Sequence, residues 1–194
     1  GSGRGLGRSH ALAMAAEGAK IVINDLGGEW DGTGKAKGPA DDVVKEIKAM
    51  GGDAAANYDS VTDFNAAKRM IDTAVSSFGR LDILVNNAGF LRDKMTFNMT
   101  KEEWDSIIEV HLTGTFYCGR HACAYWREQH KAGNPIKGRL ISTMSHAGLL
   151  GNVGQPNYAS AKLGIGALTI VWGREMEKYG VTANAIVPMA RTRM

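Results

Sequence analysis

A chain of 194 residues with a formal net charge of +3 suits one domain with its own core, leaves two domains crowded, and is not basic enough for nucleic acid to be its main partner. Hydrophobic residues at 44%, charged residues at 22% and only four prolines exclude the disordered and collagen-like classes. No apolar run reaches the roughly 18 residues of a membrane span, so no membrane partner is expected, while an anionic small molecule stays compatible with the charge.

In chain order the first feature is GSGRGLG, whose Gly1, Gly5 and Gly7 keep the spacing G-x-x-x-G-x-G and run straight into the helical stretch RSHALAMAAEG. Glycines let a backbone turn tightly against a pyrophosphate, and the helix start behind them offers unpaired N–H groups and a partial positive charge. A flexible terminus would look the same. The next strand candidate, Ala19 to Asp25, ends in an acidic residue about 20 positions beyond the turn, where a carboxylate can accept hydrogen bonds from an adenosine ribose. A solvated strand-end carboxylate is the plain alternative. The Gly/Lys-rich stretch from Leu26 to Pro39 is expected to form a long surface loop. Its Gly34-Lys35 pair is no phosphate loop, because Glu29 stands where the first glycine belongs and Ala36 where Ser or Thr should follow.

Strand candidates Ala54 to Tyr58, Leu81 to Asn86, Gly138 to Met144 and Val181 to Val187 alternate with helical periods such as Ala67, Met70, Ile71, Ala74, Val75 and Phe78. Short apolar strands separated by helices predict an α/β fold, a parallel sheet covered on both faces. Thr100 with Glu103 forms a capping box ahead of a long helix from Lys101 to about Arg127, and a second long helix is expected from Pro156 to Tyr179. Cys118 and Cys123 lie five apart in the first of these, a spacing that suits neither a disulfide nor a zinc site, so both read as free thiols and no metal is expected. With no internal repeat or linker, residues 1–194 are expected to form a single domain. Because residue 1 is already the first glycine of the turn, the strand that should precede it is expected to be missing, and the domain to be incomplete at both ends.

Tyr158 and Lys162 in YASAK are four apart at the start of the second long helix, so both project from one face about one turn apart. An ammonium at ~4 Å, with an effective dielectric of ~20, would favour the phenolate by up to ~4 kcal/mol, roughly three pKa units, and bring the phenol into the working range. Ser145, thirteen residues before Tyr158, ends strand GRLISTM on the side where ligands sit in open parallel sheets, so its hydroxyl could hold a substrate oxygen. An isolated Tyr-x-x-x-Lys is ordinarily a half-buried aromatic beside a snorkelling lysine. The coincidence of several spacings weighs against that reading here.

Taken in order, GSGRGLG, strand-end Asp25, NNAG at Asn86 to Gly89, Ser145, YASAK at Tyr158 to Lys162 and the proline of VPMARTRM resemble the short-chain dehydrogenase/reductase family over nearly the whole chain. The resemblance implies a Rossmann-type doubly wound parallel sheet in three layers, a nicotinamide cofactor and hydride transfer between an alcohol and a ketone. It implies Tyr158 as general acid/base, Ser145 as the group that orients the substrate oxygen, and Lys162 as the group that lowers the tyrosine pKa and binds the nicotinamide ribose. By the same carry-over Gly1, Arg4, Gly5, Leu6, Gly7, Asp25, Asp59, Val61, Asn87, Ala88, Gly89, Pro188 and Thr192 would contact the cofactor, with Asp59 and Val61 along the adenine. Two departures stand out. His111 in VHLTG replaces the family's asparagine, which supports a water linking the lysine to a proton relay; His111 either takes over that task or fills space beside Ile107 and Ile108. Met189 stands in the usual proline-glycine position, which weakens the carboxamide contact at Thr192.

A narrower resemblance, carried by INDLGG, NYDSV, NNAGFLRDK, VHLTG and GNVGQPNYASAK, is to the (3R)-hydroxyacyl-CoA dehydrogenase part of peroxisomal multifunctional enzyme type 2 and similar bacterial enzymes. The expected substrate is therefore a 3-hydroxyacyl-CoA met by Ser145, Leu149, Val153, Gln155 and Met189. An NADP-dependent 3-oxoacyl or other carbonyl reductase, a steroid dehydrogenase, and a non-catalytic cofactor-binding scaffold stay open beside it. Asp25 would repel the extra phosphate of NADP and favours NAD, although Arg4 occupies a place where NADP-dependent relatives often carry a base. Surplus apolar residues on the two long helices, Trp104, Phe116 and Trp126 with Leu168, Val171 and Trp172, lead us to expect a homodimer or homotetramer. A cytoplasmic location is expected because no targeting signal is visible.

Overall fold

The computed structural model describes residues 1–28, 34 and 38–189. Strands form where the short apolar runs were expected, trimmed at their ends. Helix α1 (Gly5–Ala16) leads into β1 (Ile21–Asn24), α2 (Gly38–Ala49), β2 (Ala54–Asn57), α3 (Phe64–Phe78) and β3 (Ile83–Asn86). Beyond β3 come α4 (Lys101–Ile107), α5 (Gly114–Lys131), β4 (Arg139–Thr143), the short α6 (His146–Leu150), α7 (Pro156–Met176) and β5 (Thr182–Ile186). Of the loop expected from Leu26 to Pro39, residues 29–33 and 35–37 lie outside the described ones, and Gly38 with Pro39 already opens α2.

All strand pairing is parallel, β1 with β2 and β3–β4–β5 in that order. Parallel strands need helices over both faces, and Ile23 in β1 and Leu140 in β4 are accordingly fully buried. The two groups of strands share no ladder among the described residues. A cavity of about 630 Å³ lies between β1 and β3, lined by Ile21, Val22, Ile71, Leu84 and Val85.

One core packs α1 and α2 on β1 and β2 through Ala11, Ala15, Ile23, Val43 and Ile47. Another gathers Trp126, Ile136, Leu140, Trp172 and Met176 around β4. Burying one aliphatic side chain of this kind contributes about 1.5–3 kcal/mol. Two of the supposedly surplus aromatics thus turn inward. Trp126 is fully buried, its indole N–H donates to the Leu81 carbonyl at 2.8 Å, and a Cβ on Gly138 would come within 2.7 Å of its ring. Trp104, Phe116 and Val171 are the ones left at the surface.

The Thr100–Glu103 capping box forms, the hydroxyl accepting from Glu103 N–H at 3.2 Å and the carboxylate from Thr100 N–H at 2.9 Å. The helix it starts is not continuous, however. At Ile108–Thr113 the ladder widens into a π-helical turn before α5 resumes, a distortion that recurs at functional sites, and His111 lies in it. The second long helix keeps its expected span, with Glu177–Tyr179 tightened into a 3-10 turn.

Candidate active site

Ser145, Tyr158 and Lys162 converge at the C-terminal ends of the β3–β4–β5 strands. Ser145 follows β4 and caps α6, accepting from Ala147 N–H at 3.2 Å. Gly148 brings α6 close to α7, since a Cβ there would lie 2.8 Å from the Leu163 nitrogen. Tyr158 stands in the first turn of α7, with the Ser145 hydroxyl close enough to its phenol to stabilise the charged form. One turn on, the buried Lys162 donates from Nζ to the Thr143 carbonyl at 2.7 Å and holds its ammonium 5.5 Å from the Tyr158 ring centre.

The charges do not behave as the spacing alone suggests. Burial pushes the Tyr158 phenol above its ordinary value, the Ser145 hydroxyl pulls it back, and the Asp93 carboxylate adds to the rise. Burial also brings Lys162 down to about 8. The direction of the Tyr158 shift is thus opposite to the lowering that the spacing predicts, because burial opposes charge on both partners, while the Lys162 ammonium keeps its charge and further N–H donors beyond its bond to the Thr143 carbonyl. Near pH 7 the phenol is protonated.

His111 is fully buried, its ring edge-on to Tyr158 with centroids 5.2 Å apart. Its Nε2 lies 3.1 Å from Phe90 N–H and 2.8 Å from the Phe90 carbonyl, while Nδ1 is buried without a partner. Burial, aided by the Lys162 charge, holds the imidazole at about 3, so it stays neutral throughout the working range. Gly89 exists for this ring: a Cβ there would be 2.1 Å from His111 Cε1.

The glycine turn lies beside these groups. A Cβ on Gly7 would meet the Gly1 carbonyl at 2.0 Å, and one on Gly1 would meet Ala88 Cα at 2.7 Å. Asn87 closes the turn by donating from Nδ2 to Gly1 O at 2.9 Å. Helix α1 begins with Gly5 at φ +52, with Leu6 in its first turn, no side-chain cap from Arg4 and no acidic residue to neutralise its N-terminus. Asp25 accepts from Gly3 N–H at 2.8 Å and Gly27 N–H at 2.6 Å, which fixes a carboxylate at the strand end. Arg4 donates to Gly28 O at 3.2 Å on the same side. Bare backbone, an uncapped helix start and a fixed carboxylate fit the pyrophosphate and ribose of a dinucleotide.

The chain matches the short chain dehydrogenase family over residues 1–194. It belongs to that family. It is 48% identical over 194 residues to the peroxisomal hydratase-dehydrogenase-epimerase of Saccharomyces cerevisiae, all of this chain against 21% of that one. It is 47% identical over 199 residues to the hydroxyacyl-CoA dehydrogenase ChsB1 of Mycobacterium tuberculosis, of which it covers 60%. A solved short chain dehydrogenase from Mycobacterium avium is 54% identical, with a TM-score of 0.93 over 98% of this chain and 68% of that one. The fold is thus the Rossmann-type α/β arrangement of the short-chain dehydrogenases.

Other expected contacts of this family fare differently. The Asp59 carboxyl is pushed up by burial, but bonds from Arg69 and Asn57 outweigh this and hold it below its ordinary range, so its oxygens are already engaged. Val61 packs on α5, where a Cβ on Gly114 would touch it at 2.8 Å. Leu149 is exposed, and Val153 and Met189 are 84% and 92% exposed, an apolar set open to solvent. Gln155 is not part of it: only 7% exposed, it donates from Nε2 to Asp93 at 2.9 Å and accepts from Asn152 at 3.0 Å. Pro188 is half-buried, and Thr192 lies outside the described residues. Asp93, Thr143 and Asn157 belong to the site as well. Asn157 stands next to Tyr158 in NYASAK, but no local pattern singles out Asp93 or Thr143.

Proposed function

We propose that the chain forms the catalytic domain of an NAD-dependent oxidoreductase that interconverts a secondary alcohol and a ketone, with a 3-hydroxyacyl-CoA as substrate. The observation that carries this reading is the meeting of Ser145, Tyr158 and buried Lys162 beside a glycine turn that accepts no side chains. The nicotinamide, when bound, takes or gives the hydride. Tyr158 holds the proton that the ketone oxygen receives on reduction, and its phenolate takes that proton back on oxidation. Ser145 donates a hydrogen bond to the same oxygen. Lys162 supplies a fixed positive charge below the reacting groups and a hydrogen bond for the nicotinamide ribose. The exposed apolar side chains of Leu149 and Val153, on the segment that follows Ser145, and of Met189, which follows β5, support an acyl chain over a polar substrate. The names of two relatives, one a dehydrogenase of hydroxyacyl-CoA, support the same class. The test is a steady-state screen of full-length protein with NAD and NADP against 3-hydroxyacyl-CoA thioesters, steroids and simple secondary alcohols. Turnover of steroids alone would displace the acyl reading, and no turnover at all would favour the scaffold.

For the cofactor, Asp25 weighs more than Arg4. The carboxylate is held in place by two backbone N–H groups and cannot withdraw from an added phosphate, whereas Arg4 is a long cation bonded to Gly28 O. At least about tenfold higher kcat/KM with NAD than with NADP is expected. Asp25→Ala should narrow the ratio, mainly by improving NADP. A wild-type preference for NADP would remove Asp25 from the ribose.

His111, neutral and with Nδ1 unpartnered, suits a buried donor-acceptor that links Lys162 to a relay. His111→Asn should keep kcat within about threefold, because an amide can both donate and accept, whereas His111→Ala should lower it about tenfold. Equal activity in the two variants would leave only a packing role.

A shallow apolar groove runs between α5 and α7, lined by Leu112, Phe116, Gly164, Leu168 and Val171. Exposed Phe116, Leu163, Ile170 and Val171 around it support a twofold contact between copies, giving a dimer or tetramer. Light scattering at micromolar concentration should give at least twice the monomer mass. For location, the free thiols Cys118 and Cys123 support the cytoplasm, while several relatives carry "peroxisomal" in their names.

A further inference from the structure

Tyr158 stands in the first turn of α7, where a helix is most prone to fray because its leading N–H groups have no partners within the helix. The usual remedy, an N-cap side chain, is missing. Gln155 holds the N-cap position but makes no capping bond, and its amide reaches outward to Asp93 and Asn152 instead. Asn157 takes over. Its Oδ1 accepts from Tyr158 N–H at 2.7 Å, and its Nδ2 donates to the Arg92 carbonyl at 3.1 Å and the Glu103 carbonyl at 3.0 Å. At 0% exposure, both donors and the oxygen are used inside the protein, on the segment after β3, the first turn of α4 and α7 itself. Lys94 N–H donates to Gly154 O at 2.8 Å and closes the contact between the two loops.

This arrangement suits an amide and no other small side chain. Asp would keep the acceptor but lose both donors and set a buried charge against two carbonyls. Ser or Ala could not span three segments. Since a displacement of about 1 Å can cost a reaction about 100-fold, the place of the Tyr158 backbone matters as much as its hydroxyl.

We propose that Asn157 is a positioning residue for the alcohol–ketone reaction, pinning the backbone of Tyr158 to the loop after β3 and to α4, with the Gln155–Asp93 bond as a second clasp. The inference rests on Tyr158 being the proton-transfer group, and the experiment separates the two. Full-length wild-type protein is compared with Asn157→Ala, Asn157→Asp, Gln155→Leu and Tyr158→Phe, using a 3-hydroxyacyl-CoA and its 3-deuterated form with NAD. Asn157→Ala and Asn157→Asp should each lower kcat per active site by about 10- to 100-fold, and Gln155→Leu by about threefold or more. NADH Kd should stay within about twofold, and the deuterium isotope effect on kcat should rise as hydride transfer becomes limiting. A residue that only stabilises the fold would reduce the active fraction and leave the isotope effect unchanged. A folded Asn157→Ala that keeps wild-type kcat and isotope effect, while Tyr158→Phe is inactive, overturns the positioning role alone. An active Tyr158→Phe overturns the assignment beneath it and the inference together. If neither Asn157 variant folds, Gln155→Leu decides, and an unchanged kcat and isotope effect in it overturn the proposal.

Discussion

Replacing Tyr158 with Phe is expected to lower kcat by about 100-fold or more while NADH affinity, read by fluorescence titration, stays nearly unchanged. Only the hydroxyl is removed. The ring keeps its edge-on contact with His111 and its place over Lys162, so the cofactor cradle has no reason to shift. The wild-type pH dependence follows from the sign of the phenol's shift. Burial, with Asp93 adding, raises the Tyr158 pKa, so at neutral pH the acid form dominates and a proton is in place for ketone reduction. Oxidation needs the phenolate, so its kcat/KM should climb as pH rises from neutrality, until loss of the Lys162 proton around pH 8 begins to oppose the climb. The Phe variant should lose the climb along with the rate. Wild-type kcat in Tyr158→Phe would remove this residue from the mechanism.

Lys162→Met should also lower kcat by about 100-fold or more, since a charge aimed at the reacting centre from a buried site is worth far more than one in water. Here NADH binding should weaken too, which distinguishes the lysine from the tyrosine. The stability of the two proteins should diverge with pH. Burial holds Lys162 at about 8 in the folded chain, against roughly 10.4 when unfolded. Between those values the unfolded state keeps a proton that the folded state has released, so this group's contribution to the unfolding free energy rises with pH. Below the lower value both states are protonated, and burying the ammonium costs about 3 kcal/mol in full. Urea unfolding should therefore show wild type gaining about 2 kcal/mol relative to Lys162→Met between pH 7.5 and pH 10. Parallel pH profiles for the two proteins would mean that the ammonium is not buried.

The order of strands and helices, the Thr100–Glu103 cap and the pairing of Tyr158 with Lys162 were legible because each is local. A capping box is complete within four residues, and a four-residue spacing on a helix places two side chains on one face whatever surrounds them. Short apolar runs likewise announce buried parallel strands before their partners are known. The glycine turn was legible for a related reason, since the need for bare backbone is written in the residue type itself.

Burial and long-range bonds decided the rest. Counting apolar residues on two helices did not say which would turn inward, and Trp126 and Trp172 went to the core while Phe116 and Val171 stayed outside. Gln155 was expected to face substrate, yet its amide found Asp93, 62 residues away, a partner that no local pattern reveals. The π-helical turn around His111 shifts hydrogen bonds by one residue without any composition to mark it. The Tyr158 phenol shows the physical reason most directly. Charge attraction from a neighbour four residues along can be written down from spacing, but the cost of burial depends on every element packed around the pair, and burial is the largest influence on both groups.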